Sequence, residues 1–451
     1  MAEVSLRKRV WGWMLFDWAS QPYNTLLITF IFAPYFTSAV VGDSTLGQTV
    51  WGYTVGIAGV FIAILAPILG AWSDTTGPRK PWIFLFSVMY VAGSFLLWWA
   101  VPGMEDYFWI LVAFGIGLIG MEFATIFTNA YLPELGPHEK VGRLSGNGWA
   151  LGYVGGLIAL VLMLTLLAEN DKGVTLIGIR PILGLDPATR EGTRSVGPLT
   201  AVWYAIFMIP FFLWVHDAPR RTDVTGALRT GLRDLGRTLR SLPGRPSLFA
   251  FLAASMFYRD ALNGIYTFGG IYAKGVLGWS VVNIGVFGII GITSGALFAW
   301  LGGMADQKYG PKAVIIGSIL VLVGTVVIIV LVDRQSVLFM PVSADSSLPD
   351  IVFYFCGFLI GAAGGTIQAA SRTMLVHQAD RSRMTEAFGL YALSGKATAF
   401  IAPLSIGVVT GITQSQRLGV TPVIVLFALG LFLMIWVRRN GDRGDQTTGA
   451  E

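Results

Sequence analysis

Gly70-Ala71-Trp72-Ser73-Asp74-Thr75-Thr76-Gly77-Pro78-Arg79-Lys80 joins two apolar stretches, and Gly302-Gly303-Met304-Ala305-Asp306-Gln307-Lys308-Tyr309-Gly310-Pro311-Lys312 joins two more. Each copy has a Gly, an Asp four residues on, then Gly-Pro and a basic residue. The second copy carries one more residue between Asp and Gly. Two copies of one charged loop imply two halves built on one plan. In a membrane protein, such internal repeats place a binding site between the halves.

Composition agrees with a membrane setting. Hydrophobic residues make up 54% of the chain and charged residues 13%, against roughly 25% charged in soluble domains. So few charges could not cover a soluble surface. The single cysteine, Cys356, lies in an apolar run and reads as packing. It excludes an intramolecular disulfide and a cysteine-based zinc site. No cofactor and no metal site is expected. The net charge of +5 does not point to nucleic acid, because the basic residues sort by topology. Arg7-Lys8-Arg9 precede an apolar run that no small-residue cleavage site follows, so that run reads as a retained first span.

At about 20 apolar residues per crossing, the chain reads as an all-α membrane protein with twelve spans. They fall near 11–38, 50–72, 82–101, 107–132, 145–168 and 199–216, then near 248–273, 281–303, 312–332, 350–375, 387–411 and 418–437. The expected organisation is a six-helix bundle at 1–216, a cytoplasmic linker at 217–247, a second six-helix bundle at 248–440 and a disordered tail at 441–451. The bundles are expected to be related by a pseudo-two-fold. With the N-terminus inside, 21 basic residues fall on the cytoplasmic side and 7 on the other, with Arg259, Arg372 and Lys396 inside spans. That asymmetry puts both termini in the cytoplasm.

The linker carries Leu228, Leu232, Leu235 and Leu239 at helical spacing, with Arg229, Arg233, Arg237 and Arg240 on a neighbouring face. This is the pattern of a basic amphipathic helix on a membrane surface. A plain connector between the halves is the simpler role, and a regulatory partner site the other. Residues 169–198 are of mixed polarity, and the sequence assigns them no role.

The duplication extends beyond the charged loops. A shift of 243 places Asp17 on Asp260, Tyr23 on Tyr266, Gly146 on Gly389 and Gly152 on Gly395, whereas the charged loops differ by 232. Loop lengths have therefore diverged.

A charge near the bilayer centre costs several kcal/mol and is functional by default. Asp17 is in span 1, Glu122 in span 4, Arg259 and Asp260 in span 7, Arg372 in span 10 and Lys396 in span 11. Spans 1, 4, 7 and 10 open the four three-helix repeats. Most of these charges sit on polar helical stripes: Asp17, Gln21 and Asn24; Glu122, Thr125 and Asn129; Asp260, Asn263 and Thr267; Gln368, Ser371 and Arg372. Residues at such spacings share a face, and a polar face inside a bilayer must meet protein or water. Four such faces turned inward would line a polar cavity. A static ion-pair role that fixes helix packing competes with this reading for Asp17, Asp260 and Arg259.

Gly148, Gly152 and Gly156, and Gly357 with Gly361, recur at four-residue spacing and allow close helix approach. No H-E-x-x-H or G-x-S-x-G motif is present. Gly389 to Lys396 imitates a phosphate loop, but it has five residues between its glycines and Ala397 where Ser or Thr is needed. Nothing here is enzyme-like.

On these residues the chain resembles the major facilitator superfamily. Gly70 to Lys80 is similar to the superfamily's signature between its second and third helices, and Asp306 to Lys312 to the weaker second copy. Leu15-Phe16-Asp17-Trp18-Ala19-Ser20-Gln21-Pro22-Tyr23 resembles the tyrosine-aspartate-tryptophan-alanine motif of the vacuole effluxer-like family, with Phe16 in place of the usual Tyr. That family includes yeast autophagy-related amino-acid exporters and many bacterial members of unknown substrate. Asp74 to Trp82 also resembles the glycoside–pentoside–hexuronide cation symporters. The resemblance implies alternating access by rocking of 1–216 against 248–440. It implies a cavity lined by spans 1, 4, 7 and 10, and a gate in which Asp74 sits near the N-terminus of the eleventh helix. Gly70, Asp74, Gly77, Arg79, Lys80, Gly302 and Asp306 are the gating candidates.

The expected protein is a monomeric secondary active transporter of the bacterial inner membrane, in contact with lipid and coupled to a proton, or to sodium. Three intramembrane bases against three acids suggest a small anionic or zwitterionic solute, an amino acid or organic acid. Arg372 and Lys396 would hold its carboxylate, and Glu122 or Asp17 would bind an amine or carry the proton. A cation-coupled sugar symporter is the alternative, although span 2 has no carboxylate for a sodium site. A non-transporting sensor or lipid-binding scaffold is the alternative from another class, and it would not need charges at equivalent repeat positions.

Overall fold

The computed structural model describes residues 4–42, 44–170, 172–217, 219, 226–279, 281–343 and 345–442. The expected tail falls outside the described residues from 443 on, as do 218 and 220–225 of the linker and the side chain of Lys396. The fold is almost wholly helical. Among the described residues, ten helices are long and apolar enough to cross a membrane.

Contacts divide the chain into two compact units, Met1–Tyr131 with Leu151–Gly231, and Leu132–Ala150 with Leu232–Glu451. The first unit holds α1 (Leu6–Pro22), α2 (Ser44–Thr76), α3 (Lys80–Leu96), α4 (Phe108–Asn129), most of α5 (Val141–Leu162), α6 (Val196–Trp214) and the start of α7 (Ala227–Ser241). The rest of α7 belongs to the second unit, with α8 (Pro246–Leu277), α9 (Val281–Tyr309), α10 (Pro311–Val330), α11 (Leu348–Gln378), α12 (Met384–Ala397), α13 (Ile401–Thr413) and α14 (Pro422–Leu433).

In the first unit, Pro22 ends regular α-helical winding in α1, and the chain continues as a π-helix over Tyr23–Phe30. Proline lacks the N–H that an α-helical interior needs. Buried tyrosines organise the core: the Tyr90 and Tyr204 rings stack at 3.9 Å, and Tyr23 donates to the Phe114 carbonyl at 2.8 Å. Glycines let α3 and α4 meet backbone to backbone, for a Cβ on Gly93 would lie 2.5 Å from the Gly117 nitrogen. The 169–198 excursion folds back on this unit. Glu169 accepts the Thr193 hydroxyl at 2.7 Å, and the Arg194 guanidinium lies over the Trp98 ring at 4.9 Å.

In the second unit, the expected spans 7 and 11 differ most from plain apolar helices. α8 is a 32-residue helix that carries Arg259, Asp260 and Asn263. Span 11 is interrupted by a turn at Thr398–Phe400, which separates α12 from α13. A short hairpin pairs β1 (Ser336–Val337) with β2 (Met340–Pro341). Beside it, Asp333 accepts the N–H groups of Gln335 and Ser336 at 2.8 and 2.7 Å and pairs with Arg417. Burial pushes its carboxyl up, but these N–H donors and the guanidinium outweigh that and hold it below the usual carboxylate range.

Candidate functional site

The first charged loop turns at Gly77, whose φ of +101° favours glycine. Gly70 is buried in α2. Asp74 and Arg79, both buried, form an ion pair at 3.4 Å. Asp217, which follows α6, takes the backbone N–H groups of Arg79 and Lys80 at 2.8 and 2.9 Å and the Tyr131 hydroxyl at 2.7 Å. It thus caps the N-terminus of α3, satisfying donors that a helix start leaves open. Lys80 donates to the Phe212 carbonyl at 2.8 Å. Sequence reasoning missed Asp217 and Tyr131, because an acid in a polar loop carries no signal.

The second copy turns at Gly310, with φ +84°. Asp306 is buried and seated on the first turn of α5: a Cβ on Gly142 would lie 2.7 Å from Asp306 Oδ2. A carboxylate there is favoured by the helix dipole. Gly302 abuts Thr366, and Gly146 sits on Gly303, with a Cβ there only 2.6 Å from the Gly303 Cα. Arg372, in α11, completes the contact. Its Nε donates to the Ser145 hydroxyl at 2.8 Å and its Nη2 to the Ser145 carbonyl at 2.6 Å. Its Cζ lies over the Trp149 ring at 5.7 Å. The first turns of α5 are therefore clasped by α9 and α11, all within the second unit.

The remaining candidates separate by unit. In the first, Asp17 is half-buried on α1, and Gly152 of α5 packs on its backbone. Trp18 stacks on Trp203 at 5.5 Å, and Phe16 and Ala19 are buried, so the neighbours of Asp17 in its motif pack the helix. Gln21 lies against Gly156, and Asn24 is half-buried in the π-helical segment. Glu122 is half-buried on α4, and Asn129 is buried at its end.

In the second unit, Arg259 lies over the Tyr391 ring at 4.2 Å and donates to the Tyr391 carbonyl at 2.9 Å. Gly395 leaves space for its guanidinium. Asp260 is 1% exposed and accepts the Ala402 N–H at 2.8 Å, so it caps α13 at the break in span 11. Asn263 and Tyr266 are exposed. The Tyr266 hydroxyl abuts Gly364, whose carbonyl accepts from Gln368 at 3.2 Å. Tyr266 and Gln368 thus meet at Gly364.

The sequence model described as "Vacuole effluxer Atg22 like" matches residues 39–447. The uncharacterized MFS-type transporter YxiO of Bacillus subtilis is 26% identical over 432 residues, covering 94% of each chain. Autophagy-related protein 22 of Yarrowia lipolytica is 24% identical over 66% of this chain, and the match spans 51% of that protein. In structure, the human organic anion transporter MFSD10 is similar with a TM-score of 0.69 at 15% identity, covering 95% of this chain and 99% of that one. The proton:xylose symporter XylE gives 0.65 at 14% identity, covering 96% and 94%. At such identities the likeness shows the fold alone.

Proposed function

The chain belongs to the vacuole effluxer Atg22-like family of major facilitator transporters, and from that premise we propose that it moves a small anionic or zwitterionic solute, an amino acid or organic acid, by proton-coupled alternating access. The proposal includes twelve crossings of the bacterial inner membrane in two bundles, with both termini in the cytoplasm. It also includes polar residues of spans 1, 4, 7 and 10 facing one central path.

One observation carries the substrate class. Arg372 presents one edge of its guanidinium to two oxygens of a single residue, Ser145. A carboxylate offers two oxygens to that same edge, in a stronger, charge-assisted pairing. Ser145 thus occupies the place a solute carboxylate would take. Parting α5 from α9 and α11 frees the guanidinium for the solute, and Lys396 is the second cation assigned to it. Glu122 and Asp17 are the candidate groups for an amine or the coupling proton.

The contacts that must part suit a gate. Gly142, Gly146 and Gly303 meet through backbone or a single carboxylate, so at these three positions the helices touch without interlocked side chains. In this reading Asp306 holds α5 closed, and Asp74 with Arg79 serves the first loop.

A thermal-shift screen of the purified protein against amino acids, organic acids and neutral sugars, at two pH values, tests the proposal. A ligand that binds only the folded state raises the unfolding midpoint. Stabilisation by a carboxylate-bearing solute, lost in Arg372→Ala and weakened in Arg372→Lys, is expected, since Lys lacks the planar fork. Stabilisation by neutral sugars alone overturns the substrate class and leaves the fold intact.

A further inference from the structure

The linker helix α7 presents three distinct faces. Gly231, Leu235 and Thr238 are buried. A Cβ on Gly231 would lie 3.1 Å from the Ala71 backbone, and Thr238 accepts from Arg383 at 2.9 Å. Leu232 and Leu239, seven residues apart, border this docked face and are 44% and 45% exposed. On the far side of the leucines lie Arg229, Arg233, Arg237 and Arg240, all exposed. The helix is already seated on the protein by its buried face, so the leucine edge serves something else. An exposed apolar edge flanked by cations is the arrangement of a helix lying at a bilayer surface.

Beside the last turn of α7, the start of α8 and the start of α12 enclose a cavity of about 260 Å³. Arg237, Arg245 and Arg383 line it together with Leu248, Leu252 and Leu390. The three leucines are buried and the three arginines are not. The cavity thus has an apolar floor and a cationic rim. Two acids share the lining. Asp380 accepts the N–H and hydroxyl of Ser382 at 3.1 and 2.9 Å, and Glu386 is buried. Between residues 226 and 245 the sequence has five arginines, 229, 233, 237, 240 and 245, and one acid, Asp234.

We propose that this cavity holds an anionic phospholipid of the surrounding leaflet. Its phosphate sits among Arg237, Arg245 and Arg383, and its acyl portion lies on the leucine floor. Charge complementarity selects the lipid: a zwitterionic headgroup brings no net charge to this excess of guanidinium, whereas an anionic one does. The bound lipid pins α7 to the start of α8 and to α12. The proposal is independent of what the chain transports, since none of these residues belongs to the intramembrane charge set.

The test uses the full chain in nanodiscs of phosphatidylcholine alone, or with phosphatidylglycerol added. Hydrogen exchange over 227–241 should slow severalfold with phosphatidylglycerol. Native mass spectrometry should retain phosphatidylglycerol over phosphatidylcholine. Both effects should be lost in Arg237→Ala/Arg245→Ala/Arg383→Ala. Should that variant fail to fold, the single exposed change Arg237→Glu decides, and it should weaken phosphatidylglycerol retention while leaving the unfolding midpoint in phosphatidylcholine unchanged. Equal protection in both nanodiscs, or undiminished phosphatidylglycerol retention in the variants, overturns the proposal. Protection by inorganic phosphate in detergent to the same extent also overturns it, because the site would then be one for free phosphate.

Discussion

Arg372 and Ser145 lie 227 positions apart, yet the serine gives the guanidinium two acceptors from one residue, its hydroxyl and its carbonyl, at 2.8 and 2.6 Å. The serine hydroxyl also lies 2.8 Å from the Ala369 carbonyl. Both serine acceptors are neutral, and a guanidinium pairs less strongly with a neutral oxygen than with a carboxylate.

Ser145→Ala removes the hydroxyl and leaves the carbonyl. A hydrogen bond to a charged group contributes about 1.5–3 kcal/mol, so the clasp should open more often. A cysteine placed at Val141, which is buried, should be labelled faster in this variant than in the parent. An unchanged labelling rate would show that the serine contact does not hold α5 in place.

Gly146→Ala should act more severely. The new Cβ would lie 2.6 Å from the Ala299 carbonyl and from the Gly303 Cα, and neither backbone atom can turn aside. Overpacking of this kind costs about 1–3 kcal/mol. A lower unfolding midpoint with raised labelling of α5 is expected. Gly407→Ala is the control, since nothing lies within 4 Å of its Cβ position. Equal behaviour of the two variants would refute the close-contact argument.

Asp217→Ala should lower stability by about 0.5–2 kcal/mol, the range for losing a helix N-cap. Asp217→Asn keeps one acceptor for the Arg79 and Lys80 N–H groups and should lose less. Unfolding midpoints of the two variants, measured in one detergent, give the comparison. An Asn variant no better than the Ala variant would mean that the carboxylate charge, rather than the cap geometry, is what matters.

Asp333 links stability to pH. Its carboxyl is held below its ordinary value in the folded chain. Its stabilising contribution is therefore fully present above the unfolded value of about 3.9. It is lost as pH falls through the lower folded value. The difference in midpoint between parent and Asp333→Asn should be constant at neutral pH and shrink as the solution is acidified below about pH 4. A difference that grows on acidification would contradict the direction.

Much of this was legible in the sequence, for identifiable reasons. Gly-Pro beside an acid and a base stands out between apolar runs, so the sequence marks both turning glycines, Gly77 and Gly310, whose φ is positive. The polar stripe of α8 was likewise visible from helical spacing. What spacing cannot supply is the partner. Arg259 reads as an intramembrane cation, and only the fold shows it over Tyr391, 132 positions away. Leu235 and Leu239 read as one apolar face, but the protein buries Leu235 and leaves Leu239 exposed. Span 11 reads as continuous from its apolar run, although Gly395 and Pro403 flank Thr398–Phe400 and proline favours the first turn of a helix over its interior. Its break is supported from another helix, by the Asp260 carboxylate on the Ala402 N–H.

Asp217 caps α3 only after α6 has been made, and Asp442 does the same for α8, accepting the N–H groups of Ser247 and Leu248 at 3.0 and 3.3 Å from beyond the last helix. Each cap comes from a residue translated after the membrane helices it joins. Synthesis proceeds at roughly 5–20 residues per second, and domains mature in order of emergence. The first unit can therefore acquire its cap while the second is still on the ribosome. The second must wait for Asp442, so a nascent chain stopped just before Asp442 has the start of α8 still open.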